Sequence, residues 1–291
     1  MFYKYFSFTF IIEYNPVLPP ESRLGYSLQL SRSDGTITFH LPLHAFRPSE
    51  QFEPGKISRY IQIINITEYR YYINSWKKFL PDYEIKEWNE DNYDVNCIPF
   101  SKEAYKAKKY AYVSDYARLK ILYENGGIYF DTDVEVIRNM DNLVQKGAWM
   151  AIEKHKNTPE VEDMVNPGLG FAVEPYNPII KEIMSYYENT HYIFPDGHIE
   201  QIPIVPITSK VLKKYGLRPS TNIPYNCSGI TIYPWDYFCP IEFLSHKLEI
   251  TENTYTIHHY SATWMSWLDK LKMKKGYYAT KIKRLLKLNK S

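Results

Sequence analysis

Alternating apolar and polar residues near the start of the chain predict β-strands. Over Phe6–Ile12 the phenylalanines alternate with small polar residues, a period of two that is typical of a half-buried strand. A second strand pattern, Thr36–Leu43, follows the turn sequence Ser33-Asp34-Gly35. We therefore expect residues 1–56 to form a β-rich extension, and we attach no chemistry to it.

Strand and helix patterns interleave from residue 57 onward. Short apolar or alternating runs predict strands, and recurrence every three or four residues predicts helices. The predicted strands are 57–66, 83–88, 149–153 and 170–173, and the predicted helices are a tyrosine-rich segment ending near Lys78, 178–188 and 209–215. This order favours an α/β domain over residues 57–269, with a mostly parallel sheet and flanking helices.

The longest helical pattern leads directly to a pair of aspartates. From Ser101 to Asn125 there is no Gly or Pro, and small residues recur every three or four positions, which predicts one long helix with a closely packing face. Gly126-Gly127 ends this helix, and the short apolar strand Ile128–Phe130 runs into Asp131 and Asp133. The carboxylates therefore lie at the carboxyl end of a strand, where open α/β sheets bind ligands.

Charge is unevenly distributed, although the net charge of the 291-residue chain is only +2. Residues 270–291 contain nine Lys or Arg and no Asp or Glu, which leaves 26 basic against 33 acidic residues before them. Apolar residues are interleaved with these lysines, so the tail forms either a basic amphipathic helix on an anionic membrane surface or a solvated helix end. No aromatic-basic motif accompanies the charge, so nucleic acid is not an expected partner.

Cysteine content and hydropathy favour a cytoplasmic location. Three cysteines, none in a CxxC pair, are too few for a disulfide framework and are typical of a reducing compartment. No stretch approaches the ~20 apolar residues of a membrane span, and the start of the chain has no cleavage-site pattern of a signal peptide. We therefore expect a cytoplasmic protein, peripheral at the inner face of the membrane if the tail binds lipid.

The aspartate pair has the spacing of a metal site. Two carboxylates one residue apart can turn toward one divalent cation, and hard oxygen ligands suit Mn²⁺ or Mg²⁺. Taken by itself, however, a DxD tripeptide is better explained as a solvated acidic turn. Its surroundings change this interpretation.

Those surroundings resemble the motif of family-32 glycosyltransferases, the DxD sugar-binding enzymes of capsule and polysaccharide synthesis. The resemblance rests on Ser114-Asp115-Tyr116-Ala117-Arg118 and on residues 122–133, LYENGGIYFDTD. It extends to residues 74–85, to Ile232-Tyr233-Pro234 with Phe238-Cys239-Pro240, and to 257–264, IHHYSATW, and covers about residues 57–270. The first strand is apolar here but lacks the tryptophan and glycine of the family's opening strand.

This resemblance implies a GT-A fold, a nucleotide-sugar donor such as a UDP- or GDP-hexose, and a bound Mn²⁺ or Mg²⁺. Asp131 and Asp133 would hold the metal, and His259 would complete its coordination or contact the diphosphate. His258 and Trp264 are expected to contact the donor, Trp264 through its indole N–H.

Four further residues are candidates for donor binding. Asp115 and Arg118 lie on one helix face, so they either bind neighbouring sugar hydroxyls or form an ordinary ion pair. With the following DxD we favour the sugar role and assign both residues, together with the two aspartates, to the catalytic set. Tyr129 and Phe130 point to opposite faces, so one ring is expected to line the site. Asn166 belongs either to a loop near donor and acceptor or to a plain turn.

The resemblance also implies that the anomeric configuration of the donor sugar is retained. A double-displacement route would require a carboxylate nucleophile, for which Glu174 and Asp196 are candidates by residue type only. A front-face route without a protein nucleophile is the better hypothesis. The expected acceptor is a saccharide or a lipid-linked saccharide.

Two other functions stay open. A phosphohydrolase with a DxD nucleophile also places two aspartates after an apolar strand, but its motif requires Thr or Val where Glu135 stands. A catalytically weakened nucleotide-sugar-binding protein would explain the altered first strand. Turnover of a nucleotide sugar in the presence of Mn²⁺ separates the transferase from both.

Overall fold

The structure, a computed structural model, describes residues 7–14, 24–32, 35–41, 57, 59–64, 70–153, 164–201, 203–218, 222–242 and 245–261. The chain divides into two compact units, Met1–Glu53 and Pro54–Ser291. The predicted division into 1–56, 57–269 and 270–291 stays a prediction. The basic tail and Trp264 lie outside the described residues.

The first unit contains an antiparallel sheet of three strands. These are β1 (Ser7–Tyr14), β2 (Leu24–Arg32) and β3 (Gly35–Leu41), in the order β1-β2-β3. β1 and β3 lie where alternating residues predict strands, whereas β2 is absent from the prediction, although its leucines alternate with polar residues in the same way. Arg32 pairs with Gly35, which puts the predicted turn sequence at the β2–β3 connection.

The second unit is built on a seven-stranded sheet. Its strands, numbered in chain order, are β4 (Tyr60–Ile64), β5 (Glu84–Trp88), β6 (Gly127–Tyr129), β8 (Trp149–Ala151), β9 (Phe171–Val173), β10 (Tyr225–Cys227) and β11 (Ile230–Tyr233). The strand order is β10-β11-β8-β9-β6-β4-β5, and β9 and β10 run antiparallel to the other five. The five parallel strands therefore end at one edge of the sheet.

Seven α-helices accompany the strands in the described part of this unit. They are α1 (Arg70–Phe79), α2 (Pro99–Lys106), α3 (Tyr110–Asn125), α4 (Asp141–Val144), α5 (Pro178–Glu188), α6 (Ile204–Lys214) and α7 (Trp235–Phe238). α3 packs against α2 and α5 and against strands β4 and β6. Of the small-residue face that the sequence predicts, Ala117 and Ile121 are buried, whereas Ala111 and Ser114 are half-buried.

A two-stranded antiparallel sheet lies beside the carboxyl end of β6. It pairs β7 (Val134–Val136) with β12 (Thr256–His258), and His258 lies opposite Val134. α1 holds β7 in place because the indole N–H of Trp76 donates a hydrogen bond to the Val134 carbonyl at 2.7 Å. This small sheet brings residues that are more than a hundred positions apart to the same edge.

The single helix predicted over Ser101–Asn125 is wrong, because the segment forms two helices, α2 and α3. Lys108 between them has a φ of 58°. Its neighbour Lys109 donates a backbone hydrogen bond to Ala104 at 2.9 Å, closing a left-handed turn of the kind that ends helices. Such turns usually contain Gly or Asn, so the sequence carries no signal for this one.

The helix predicted over 209–215 begins earlier, at Ile204. Pro206 lies in its first turn, where the missing backbone N–H is not needed for a helical hydrogen bond. The remaining strands and helices predicted after residue 57 agree with the structure within a few residues at their ends.

The fold class predicted from the sequence is confirmed. The second unit is α/β, with a seven-stranded sheet in which five strands run in the same direction and helices flank the sheet, as expected for a GT-A enzyme. Within the described ranges, none of the helices combines the length and apolarity that crossing a lipid bilayer demands.

Candidate active site

The DxD aspartates lie in the short link between β6 and β7, at the edge where the parallel strands end. Gly127, the first residue of β6, has a φ of 97°, and a side chain there would lie 2.5 Å from the Tyr60 carbonyl oxygen. Only glycine therefore allows β6 to pair this closely with β4. That pairing sets the position from which Asp131 and Asp133 project.

Asp131 is held by two donors on one of its oxygens. Its Oδ1 accepts hydrogen bonds from the Tyr129 hydroxyl at 2.7 Å and from Arg118 Nη1 at 2.8 Å. Its Oδ2 points the other way, toward Gly168 and toward His258, whose Nε2 is 3.7 Å away. The protein thus fixes one oxygen of this carboxylate and directs the other into the site.

Asp133 is arranged in the same manner. Its Oδ2 accepts the backbone N–H of Ser261 at 2.8 Å, and its Oδ1 lies 3.2 Å from His258 Nε2. Burial alone would raise the pKa of Asp133, but the His258 imidazole and the Ser261 amide lower it below its ordinary value. Asp133 is therefore ionised at neutral pH although its side chain is only 12% exposed.

The imidazole that the structure places beside the aspartates is His258, not His259, the histidine that the sequence predicts as a metal ligand. Neighbouring side chains on a strand point to opposite faces, so only one of two adjacent histidines can face the DxD pair. The pairing of β12 with β7 directs His258 inward. His259 instead lies 2.9 Å from Glu135 through Nε2 and stacks on Tyr72 with a centroid distance of 4.7 Å.

The pKa of His258 reflects its surroundings. Burial lowers the pKa of the imidazole, but the carboxylates of Asp133 and Asp131 outweigh burial and raise it to about 10. In the protein without a metal, His258 therefore carries a proton on the atom that faces the carboxylates. This cation compensates part of the negative charge of the aspartate pair.

Asp115 and Arg118 form an ion pair, one of the two arrangements considered from the sequence, and it lies beside Asp131. Arg118 Nη2 lies 3.1 Å from Asp115 Oδ1, so the two form an i,i+3 ion pair, and the same guanidinium also reaches Asp131. Burial raises the pKa of Asp115 to about 6, although the Arg118 charge acts to lower it. Asp115 also accepts the backbone N–H of Ile204 at the start of α6. The ion pair is thus part of the site and not a solvated surface pair.

The side chains of Tyr129 and Phe130 point to opposite faces, as strand alternation predicts. The Tyr129 hydroxyl binds Asp131, and the Arg118 guanidinium lies over its ring at 4.8 Å. Phe130 is fully buried against Trp76. Tyr129 therefore faces the site and Phe130 faces the core.

The loop that contains Asn166 approaches Asp131 through Gly168. The Asn166 side chain accepts the Gly168 N–H at 2.7 Å and caps a short 3-10 helix, Pro167–Leu169. A Cβ atom at Gly168 would lie only 2.6 Å from Asp131 Oδ2. Asn166 therefore belongs to a turn, and this turn is also the loop that approaches the site at Asp131.

Sequence reasoning missed three contributors to this cluster. Ser114 accepts hydrogen bonds from Arg118 through both its hydroxyl and its carbonyl oxygen, the Ser261 amide binds Asp133, and Gly168 leaves room for Asp131. Ser114 and Ser261 lie inside the sequence motifs quoted above. The Ser114 carbonyl and the Ser261 amide are backbone groups, however, and the residue type does not indicate what a backbone group binds.

The donor set fits a divalent cation. Asp131, Asp133 and His258 each offer one ligand atom, and these atoms lie within 4.8 Å of one another. Three carboxylates, including Asp115, and one guanidinium give the cluster a charge of −2 when His258 is neutral. A divalent cation would neutralise this charge.

One segment of the chain is similar to a known protein family. Residues 67–149 match the family described as "Glycosyltransferase sugar-binding region containing DXD motif". The matched range includes Asp115, Arg118, Tyr129 and both DxD aspartates. A comparison with curated proteins finds no match.

Solved structures similar to this chain include three glycosyltransferases. The PaToxG glycosyltransferase is 19% identical, with 55% of this chain and 71% of that chain covered and a TM-score of 0.40. A glycosyltransferase involved in the glycosylation of the major capsid of PBCV-1 is 11% identical, with coverages of 75% and 97% and a TM-score of 0.37. The galactosyltransferase LgtC, in complex with donor and acceptor sugar analogs, is 13% identical, with coverages of 75% and 95% and a TM-score of 0.36.

Proposed function

From the premise that residues 67–149 are a DXD-containing glycosyltransferase region, we propose that this protein is a metal-dependent, retaining glycosyltransferase. It transfers a hexose from a nucleotide-sugar donor, UDP- or GDP-linked, to a saccharide or lipid-linked saccharide acceptor. The proposed setting is the synthesis of capsule or another polysaccharide, which rests on the motif resemblance.

The observation that carries the proposal is the convergence of Asp131, Asp133 and His258. Each aspartate has one oxygen held by the protein and the other directed toward the imidazole. Preorganised ligand atoms of this kind bind a cation without a large rearrangement of the site. Asp131, Asp133 and His258 would hold a divalent cation, and this cation would supply Lewis acidity toward the negative charge of the donor diphosphate.

Asp115 and Arg118 are proposed to bind hydroxyls of the donor sugar. Both side chains are nearly buried, and the guanidinium connects Asp115 to Asp131. A carboxylate and a guanidinium side by side present acceptors and donors to vicinal hydroxyl groups. Tyr129 supports this arrangement by holding Asp131 and the Arg118 guanidinium.

The route proposed is front-face transfer, in which the departing phosphate accepts the proton of the acceptor hydroxyl. The two carboxylates considered as nucleophiles have other partners. Glu174 accepts a hydrogen bond from Asn177 at 2.8 Å, at the start of α5. Asp196 accepts the His198 amide at 2.9 Å in an exposed turn. Neither contact supports a role as nucleophile.

A panel of donors tests the proposed activity. The purified chain is incubated with Mn²⁺ and UDP- or GDP-hexoses, and release of the nucleotide is measured with and without EDTA. We expect slow, metal-dependent hydrolysis of one donor class. Release of phosphate from generic monoesters would support the phosphohydrolase instead, and tight donor binding without turnover would support the binding protein.

Asp133→Asn tests the assignment of the metal ligand. Removing one carboxylate charge should lower metal-dependent donor hydrolysis by at least about 100-fold, because a neutral amide is a poor ligand. The fold should persist, since Asp131 remains beside His258 and the asparagine oxygen can still accept the Ser261 amide. Asp82→Asn, on the surface, is the control; equal turnover in both variants would refute the assignment.

A further inference from the structure

His258 lacks the hydrogen bond that usually orients a metal-binding imidazole. Its Nε2 faces the aspartates, whereas its Nδ1 is buried and has no hydrogen-bond partner in the described part of the chain. In most metal sites the second ring nitrogen donates to a carboxylate or carbonyl group, which fixes the ring plane. Some other contact must therefore restrict the rotation of this ring.

Tyr260 makes that contact. Its ring packs edge-to-face on the His258 imidazole, with centroids 4.2 Å apart and an angle of 86° between the planes. Tyr260 is buried, and its backbone has a φ of 50°, in the left-handed region that residues other than glycine, asparagine and aspartate rarely adopt. A strained, buried residue against a functional side chain requires a compensating interaction elsewhere.

The compensating interactions lie at the far end of the Tyr260 side chain. The hydroxyl donates a hydrogen bond to Glu153 Oε1 at 2.8 Å and lies 3.1 Å from Cys239 Sγ. Glu153 follows β8 and Cys239 follows α7, so two elements of the domain hold the ring at a fixed place. The turn through Tyr260 also delivers the Ser261 amide to Asp133.

We propose that Tyr260 is a positioning residue that orients His258 for the divalent cation, with Glu153 as its anchor. Aromatic packing against the imidazole replaces the missing hydrogen bond at Nδ1. This inference rests on the proposed metal site, and it adds a requirement that the DxD motif does not contain. The effect of Tyr260 on metal binding would act through the His258 ring, against which it packs.

The experiment measures Mn²⁺ affinity in the full chain, from the EPR signal of free Mn²⁺, together with the melting temperature of the metal-free protein. Tyr260→Leu removes the ring and should weaken Mn²⁺ binding about 10- to 100-fold. Tyr260→Phe keeps the ring but loses the anchor, so a loss of about 3- to 10-fold is expected. Tyr233→Phe removes a buried hydroxyl that has no hydrogen-bond partner among the described residues. It is the matched control and should leave the affinity unchanged.

The outcomes separate the two proposals. A Mn²⁺ affinity that falls from wild type to Tyr260→Phe and further to Tyr260→Leu supports positioning by Tyr260. The fall must exceed any change that a lowered melting temperature explains, as judged from the Tyr233→Phe control. If Tyr260→Phe binds Mn²⁺ with wild-type affinity while His258→Ala loses Mn²⁺ binding, the positioning role of Tyr260 is overturned. This conclusion does not require the Leu variant to fold. If wild type and His258→Ala bind Mn²⁺ equally, the proposed metal site is refuted. The proposed role of Tyr260 is then refuted as well, because it depends on that site.

Discussion

Asp131 is the residue on which most of the site depends. It receives hydrogen bonds from Tyr129 and Arg118 on one oxygen, and the backbone of Gly168 lies against the other. A carboxylate held on both sides has little rotational freedom, so it loses little entropy when it binds a ligand. The proposed metal site is therefore sensitive to small steric changes around Asp131.

Gly168→Ala should reduce activity without unfolding the protein. The added methyl group would lie 2.6 Å from Asp131 Oδ2, so the carboxylate must turn or the loop must shift. We expect at least about a 10-fold loss of metal-dependent donor hydrolysis, since misplacements near 1 Å can cost about 100-fold. Gly197→Ala would contact nothing within 4 Å, although its φ of 83° strains an alanine, so this control should lose some stability but retain turnover. A fully active Gly168→Ala would contradict the crowding at Asp131.

At the scale of elements, the break between α2 and α3 determines where the site helix begins. α3 starts at Tyr110 and carries Asp115 and Arg118 one and two turns later on one face. A continuous helix from Ser101 would be about 37 Å long at 1.5 Å per residue and could not fold back at residue 108. The left-handed turn at Lys108 therefore changes the direction of the chain before the site residues.

Lys108→Gly should stabilise the protein. A left-handed backbone is unfavourable for lysine and accessible to glycine, which outweighs the greater flexibility of glycine in the unfolded chain. We expect a gain of roughly 0.5–1 kcal/mol in the free energy of unfolding, measured by urea denaturation. The same substitution at Lys102, inside α2, should cost about as much stability as it gains at 108; a loss at both positions would contradict this account.

Glu103 joins α2 to the segment before α6, and its contribution to stability depends on pH. Its carboxylate accepts hydrogen bonds from the amides of Tyr192 and Ile193 and contacts His191 Nδ1 at 2.7 Å. Burial acts to raise the pKa of Glu103, but these hydrogen bonds lower it below its ordinary value. The stabilisation is therefore present above the unfolded-state pKa and is lost as pH falls through the folded-state pKa.

Glu103→Gln should accordingly destabilise the protein by about 1 kcal/mol at pH 7, because a neutral acceptor binds the two amides less strongly. The difference between wild type and variant should shrink only below the ordinary glutamate pKa of 4.5, as the pH is lowered from about 5 to about 3. Urea denaturation at several pH values measures it. A difference that stays constant over this range would show that the charge of Glu103 has no part in the effect.

At the scale of the whole molecule, the site joins residues from distant parts of the second unit. The aspartates follow β6, the imidazole comes from β12, and the loop of Asn166 precedes β9. A cation that binds all of these groups binds only the folded state. Metal binding should therefore stabilise the domain as a unit.

Mn²⁺ should raise the melting temperature of the full chain. At a free concentration 100 times the dissociation constant, the expected stabilisation is about 2.7 kcal/mol, which thermal denaturation detects easily. EDTA should reverse the shift, and His258→Ala should abolish most of it. An equal shift in that variant would place the cation elsewhere in the protein.

The sequence by itself was enough to predict the α/β class and the position of the DxD pair. Gly126-Gly127 and the apolar run before Asp131 are local signals, and the i,i+3 spacing of Asp115 and Arg118 is a property of any helix. The family match over 67–149 covers the same stretch. The local signals for the DxD pair lie within about twenty consecutive residues, 114–133, whereas the α/β class rests on the pattern from residue 57 onward.

Only the tertiary structure decided which histidine completes the site. Two adjacent histidines are equivalent in sequence, and the pairing of β12 with β7, more than a hundred residues apart, selects His258. The left-handed turn at Tyr260, whose hydroxyl binds Glu153, and the close approach of Gly168 to Asp131 likewise depend on contacts between distant segments. Local patterns follow from steric preferences of neighbouring residues, whereas register and close packing follow from the balance of the whole fold, which no short motif encodes.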